Sequence, residues 1–209
     1  MDQNAANAGP AGGQPSAERG SNRKARRGLS TSTLMMAGAI GVAGSILVVP
    51  LTYLQISAGL AFVQLVAATL GAWMFPCIFP LVFLRKPGVS IVACLTIGVV
   101  SSFTTPFGPS AILALLVEGF ILELPFMLSL YRRWNSWLFV VSALLLGAFM
   151  GYFVASSMGV KNASAWLLLT NVAISEVSCL VFLALAWQAA KLLRRAGLGE
   201  PSQAGDSRG

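Results

Sequence analysis

Polar and apolar positions in this chain are sorted into long blocks. Apolar runs occupy Thr33–Tyr53, Ser57–Leu84, Val89–Phe103, Ala111–Tyr131, Trp137–Ser156 and Trp166–Leu193, with short polar turns between them. About 20 apolar residues span a bilayer core as a helix, and the first run, at 1.5 Å per residue, reaches ~31 Å. The pattern predicts an all-α integral membrane protein with six transmembrane helices. The second run is longer than the first and carries Pro76 and Pro80 toward one end, where a kink or tilt is expected. The third, at ~15 residues, is short for a span, and either crosses or re-enters.

The blocks outside these runs define the tails. Residues 1–28 are Gly, Ala, Ser, Pro, Gln and charge, closed by Arg23-Lys24-Ala25-Arg26-Arg27. Such a composition cannot bury a core, and its length before the first apolar run does not fit a secretory signal. The expected organisation is a disordered basic cytoplasmic tail over 1–30, a membrane domain over 31–195 and a disordered cytoplasmic tail over 196–209. With the N-terminus inside, Arg85-Lys86, Arg132-Arg133, Lys191, Arg194 and Arg195 all fall on the cytoplasmic side, and only Lys161 falls outside. That bias is the positive-inside rule, and it requires six spans with both termini cytoplasmic. Trp134, Trp137 and Trp166 sit at span ends, as an aromatic belt would place them.

Composition narrows the function. Of 209 residues 56% are apolar and 10% charged, with 14 Lys+Arg, 7 Asp+Glu and no His. The three cysteines, Cys77, Cys94 and Cys179, lie scattered within apolar runs, so no zinc spacing or Cys/His dyad exists, and no metal or other cofactor is expected. No Gly precedes any lysine, which removes a Walker A phosphate cradle. If ATP drives this protein, another chain hydrolyses it. The net charge of +7 is explained by topology and anionic membrane lipid, and no nucleic-acid partner is expected.

The candidate chemistry is acidic. Glu118, Glu123 and Glu176 fall inside spans, where a carboxylate costs on the order of 2.5–3.5 kcal/mol on insertion scales. No Lys, Arg or His lies in the membrane interior to pair with them. The carboxyls are therefore either protonated interhelical hydrogen-bonding groups or partners for a cation arriving from outside. Counted from the outer ends of their spans, Glu118 lies ~12 Å deep and Glu176 ~15 Å, so they could share one outward-facing pocket. Glu123 lies ~20 Å deep and ~140° around the helix from Glu118. It is either a deeper ligand or a helix-to-helix hydrogen bond, with Pro125 expected to kink the helix beside it. Asn171, Thr170 and Ser175 are candidate accessory groups, and Trp73 could stack on a flat ring or cation. Ala39 and Ala43 form one small-residue step in the first span, beside a second at Ala37, Gly41 and Ser45, and the fifth span holds Gly147-x-x-x-Gly151. Such steps let membrane helices approach closely.

Arg85-Lys86-Pro87-Gly88, the Gly108-Pro109 turn, and Val117-Glu118-Gly119 followed by Glu123 and Phe126 resemble the YkoE-type substrate-binding (S) components of energy-coupling-factor (ECF) transporters. The resemblance covers roughly residues 85–133 together with the six-span layout. It implies a subunit that captures a vitamin outside the cell and docks on a transmembrane coupling subunit driven by two cytoplasmic ATPases. It further implies thiamine or its hydroxymethylpyrimidine precursor as ligand, and docking through Ala39 and Ala43. Two positions depart from the family pattern, Cys94 where a Glu is common and Glu118 where a Gln is common. The expectation is a non-enzymatic vitamin-uptake subunit with Glu118, Glu176, Glu123, Asn171 and Trp73 as substrate-binding residues. A self-contained proton-coupled carrier using the same carboxylates is the alternative.

Overall fold

The computed structural model describes residues 30–59, 62–132, 134–159 and 165–197. Most of both tails, together with Arg133 and Lys161, lies outside the described residues. Six helices follow in order: α1 (Thr31–Gly59), α2 (Val63–Leu84), α3 (Val89–Thr104), α4 (Ser110–Leu128), α5 (Ser136–Ser157) and α6 (Ala165–Arg195). All but α3 are long and apolar enough to cross a membrane. Large apolar side chains cover the outside, Ile46 being 77% and Leu113 68% exposed, as a lipid-facing surface requires. The chain is an all-α integral membrane protein.

The short α3 packs lengthwise on α1. It runs beside α1 in the same direction, and successive contacts climb both helices together. Lys86 Nζ donates to Thr33 Oγ1 at 2.7 Å just before α3 begins, Gly41 packs on Ala93 and Thr96, Gly44 meets Ile97, and Tyr53 donates to the Thr104 carbonyl at 2.8 Å where α3 ends. The stretch from Lys86 to Thr104 thus runs alongside the segment of α1 between Thr33 and Tyr53.

Two boundaries differ from the hydropathy reading. The break before the second span lies at Gly59–Val63 instead of Ser57, because residues on both sides of the turn are equally apolar. Helix α4 stops at Leu128, and Leu130 and Tyr131 take left-handed φ values of 52° and 53°, so the last apolar residues of that run form a turn. Among the described residues α2 packs against every other helix, while α1 and α6 both lean on α2 without touching each other.

Glycines set the closest seams. A Cβ on Gly71 of α2 would lie 2.3 Å from the Ser178 carbonyl oxygen of α6. The same contact is hydrogen-bonded, with Gly71 N donating to Ser178 Oγ at 3.1 Å and Ser178 Oγ donating to the Ala68 carbonyl at 2.6 Å. Gly147 and Gly151 of α5 bring α6 close in the same way, and their carbonyls accept from Ser175 Oγ and Asn171 Nδ2, both at 2.8 Å. Lipid offers apolar helices no hydrophobic reason to associate, so close backbone packing and such bonds hold the bundle. Gly71→Ala forces backbone against backbone and is expected to destabilise the protein by about 1–3 kcal/mol, read as a lowered unfolding temperature in detergent; Gly38→Ala, where a Cβ on ordinary helical backbone meets only Thr96 Oγ1 at 3.9 Å, serves as the mild comparison.

Candidate functional site

The half of the bundle that the positive-inside pattern assigns to the cytoplasmic side is organised by one carboxyl group. Helix α3 begins after the Arg85-Lys86-Pro87-Gly88 turn, and its N-cap is Gly88 at φ 79°, which has no side chain to receive the first backbone N–H groups. A helix start leaves four such donors without intrahelical partners. Glu123, reaching across from α4, takes three of the local donors: its Oε2 accepts from Gly88 N at 2.8 Å, and its Oε1 from Ser90 N at 2.9 Å and Ile91 N at 3.3 Å. The Tyr131 hydroxyl adds a fourth bond to Oε2 at 2.8 Å. Glu123 is wholly buried, and an acidic group at a helix N-terminus is favoured by the helix dipole. Ser90 Oγ donates to the Cys77 carbonyl at 2.8 Å, joining α2 to the same node.

The turn after α4 is shaped around this bond. Two successive non-glycine residues with positive φ cost on the order of 1–3 kcal/mol each. They are held by Tyr131 N donating to the Phe126 carbonyl at 2.8 Å and by the phenol on Glu123. Burial, then the adjacent Glu123, pushes the Tyr131 phenol above its usual range, so it remains a donor. Its ring lies 6.1 Å from that of Trp134, which also packs on Phe126 and Phe139 at 5.2 and 6.5 Å. Trp134 is thus part of this aromatic cluster, in contrast to Trp137, 67% exposed at the start of α5.

The outer half is built differently. Among the described residues five buried side-chain atoms have no hydrogen-bond partner: Trp73 Nε1, Ser101 Oγ, Glu118 Oε2, Ser156 Oγ and Asn171 Oδ1. Counting from the outer helix ends at 1.5 Å per residue, Ser156 and Ser101 lie within ~5 Å of the top, Asn171 ~9 Å down, Glu118 ~12 Å and Trp73 ~15 Å. All five therefore belong to the outer half, and they come from α2, α3, α4, α5 and α6. Buried polar atoms are normally paired, and in a bilayer no solvent substitutes. Glu118, 2% exposed, sits among thiols, within interaction range of Cys77, Cys94 and Cys179. Gly119 beside it lets Cys94 and Ile91 of α3 approach.

The residues named from sequence fall into three groups. Glu118, Trp73 and Asn171 supply three of the five unpartnered atoms. Glu176 is half-buried on α6, with its Cα against Gly147 of α5, and Cys179 one turn below feels both Glu118 and Glu176. Glu123 has both oxygens engaged by α3 and Tyr131. Thr170 lines a groove of about 490 Å³ between α2 and α6 with Ala68, Ile174 and Val177, and Glu118 is not among the residues lining it. Ser101 and Ser156 escaped the sequence reading, since serines in apolar helices usually bond their own backbone and carry no spacing signal. On α1, Ala39 and Ala43 are exposed on the outer surface, while Ala37, Gly41 and Ser45 face inward.

Residues 32–149, more than half of the chain, match the family model described as "ABC-type cobalt transport system, permease component". No curated protein matches. Among solved structures, one described as "Crystal structure of an S-component of ECF transporter" is similar, with a TM-score of 0.72 and 17% identity over 81% of this chain and 88% of that chain. The fold is therefore that of an ECF S component.

Glu123→Gln replaces an acceptor of four bonds by an amide whose NH2 must face donors. It is expected to lower stability by about 2–3 kcal/mol, with Tyr131→Phe costing about 1 kcal/mol, both measured by thermal unfolding of the purified protein.

Proposed function

The chain belongs to the permease-component family of ABC-type cobalt transport systems, and from that membership we propose that it is the substrate-capturing S component of an ECF-type importer whose ligand is an organic cation of the thiamine type. As a multi-pass protein of the cell membrane it would receive this ligand from outside. The observation that carries the reading is the set of unpartnered polar atoms in the outer half, centred on the Glu118 carboxyl. A cationic ring would answer three of them: Glu118 supplies charge, Asn171 Oδ1 an acceptor, and Trp73 Nε1 a donor with its indole face as a stacking surface, while Glu176 adds a second carboxylate. The hydroxymethylpyrimidine precursor offers the aminopyrimidine ring of thiamine without the charged thiazolium.

The family description favours cobalt as a second reading. The donor set speaks against a bare metal ion. The chain has no His, and among the described residues no three His, Cys, Asp or Glu side chains are grouped as a metal-ion site, whereas first-row metals are held by converging N, O or S ligands.

Docking on a coupling subunit is assigned to the exposed Ala39 and Ala43 face of α1. Small side chains there allow a partner helix to approach closely, and the bundle does not use them. ATP hydrolysis falls to two separate ATPase chains, since this one has no Walker A sequence.

Calorimetry on the purified full chain with thiamine, hydroxymethylpyrimidine and Co²⁺ separates the ligands. Thiamine is expected to bind, and Glu118→Gln to weaken it by about 1.5–3 kcal/mol, roughly ten- to a hundredfold, with the unfolding temperature retained. Saturable Co²⁺ binding without thiamine binding would select the cobalt reading. For the assembly, Ala39→Leu with Ala43→Leu is expected to abolish co-purification of the coupling subunit and to leave ligand affinity unchanged. Uptake by liposomes holding this chain alone under a proton gradient would replace the importer with a self-contained carrier.

A further inference from the structure

At the cytoplasmic end, where α2 and α6 finish and α5 begins, a cleft of about 460 Å³ is lined by Arg85, Lys191, Arg194, Arg195, Ser136 and Trp187, with Val82 and Ala190. Four cationic side chains converge there. The carboxylates among the described residues, Glu118, Glu123 and Glu176, all sit within helices α4 and α6, and none lines the cleft. Arg194 is partly committed, since its Nη2 donates to the Val82 and Phe83 carbonyls at 2.9 Å each, covering the C-terminal end of α2. The Arg85, Lys191 and Arg195 side chains are exposed and have no hydrogen bond or ion pair among the described residues.

The positive-inside rule accounts for cations on this side of the membrane but not for their gathering around one concave site. Three further features shape it for a ligand. Ser136 is the first residue of α5, so the positive end of that helix dipole opens into the cleft. Arg85 holds a left-handed conformation at φ 48° as the C-cap of α2, a position where Gly is the low-cost residue, yet a long cation stands there and lines the cleft. Val82, Ala190 and the half-buried Trp187 supply apolar surface alongside the charges. A polar group rich in negative oxygens joined to a hydrocarbon body fits both parts.

We propose that this cleft binds the phosphate headgroup of an anionic phospholipid from the cytoplasmic leaflet, with Arg85, Lys191 and Arg195 on the phosphate oxygens and Trp187 against the first acyl carbons. Basic pockets between helices on this side of a membrane are suited to that chemistry. The site lies at the opposite end of the bundle from Glu118, so it stands whether or not the ligand reading above does. A bound lipid would neutralise like charges that otherwise repel across the cleft and would fix the junction of α2, α5 and α6.

Trp187 provides the readout. The full-length protein in neutral phosphatidylcholine micelles is titrated with phosphatidylglycerol brominated near the headgroup end of its chains, and the Trp187 contribution is isolated by subtracting Trp187→Phe. Saturable quenching is expected, with each of Arg85→Gly, Lys191→Gln and Arg195→Gln weakening it about fivefold. Arg85→Gly relieves the backbone conformation and is expected to keep the unfolding temperature, which separates lost binding from lost folding. Equal quenching by brominated phosphatidylcholine, or affinity unchanged in all three variants, would overturn the proposal. Full displacement of the brominated lipid by millimolar inorganic phosphate would also overturn it, by making the ligand a soluble phosphate.

Discussion

Inside a bilayer a polar group must find its partner in the protein, because hydrocarbon offers none. This protein meets that constraint in opposite ways at its two ends. In the cytoplasmic half, the donors exposed by a glycine-capped start of α3 converge on Glu123, whose two oxygens accept four bonds. The node ties α3 to α4, shapes the strained turn at Leu130 and Tyr131, and through Ser90 reaches α2. In the outer half, Glu118 Oε2, Trp73 Nε1, Asn171 Oδ1, Ser101 Oγ and Ser156 Oγ have no partner. In the reading proposed above, these are the atoms that a ligand arriving from that side would pair.

The packing serves this division. Helix α2 is the axis on which the other five lean, and its seam with α6 at Gly71 and Ser178 is too tight to accept a methyl group. The α5–α6 seam at Gly147 and Gly151 is also hydrogen-bonded, so Asn171 is pinned through Nδ2 while its Oδ1 stays unpaired. Rigid seams of this kind hold a carboxyl, an indole N–H and an amide oxygen in place before any ligand binds, which lowers the ordering cost of binding. The exposed alanines of α1 lie outside these seams, and a partner subunit can therefore press on that face without unpacking the interior.

Hydropathy and charge made the fold legible, since span number and orientation are one-dimensional properties of a membrane chain. Six helices followed from them. The turn between α1 and α2 did not, because its flanks are as apolar as the helices. Two parallel small-residue rows in α1 look alike in sequence, and only the structure turns Ala37, Gly41 and Ser45 inward and Ala39 and Ala43 outward. The intramembrane carboxyls were visible as residues, but their roles depended on partners 32 to 35 positions earlier in the chain. A signal for Glu123 did exist: a helix start after Gly88 without a Ser, Thr, Asp or Asn cap requires an acceptor from elsewhere. Trp134 stands at a span end like Trp137, and its place in the cluster with Phe126, Tyr131 and Phe139 arises from a turn that hydropathy does not report.

The claim on which this account turns is that the unpartnered outer-half atoms are where a ligand binds, and the Trp73 indole N–H reports on it directly. In a nitrogen-15 spectrum of the full chain, with the Trp73 resonance assigned through Trp73→Phe, addition of thiamine is expected to move that indole signal while those of Trp137 and Trp187 stay in place. An unmoved Trp73 signal at saturating thiamine and at saturating hydroxymethylpyrimidine, or the same movement in Glu118→Gln at the same concentrations, would contradict it.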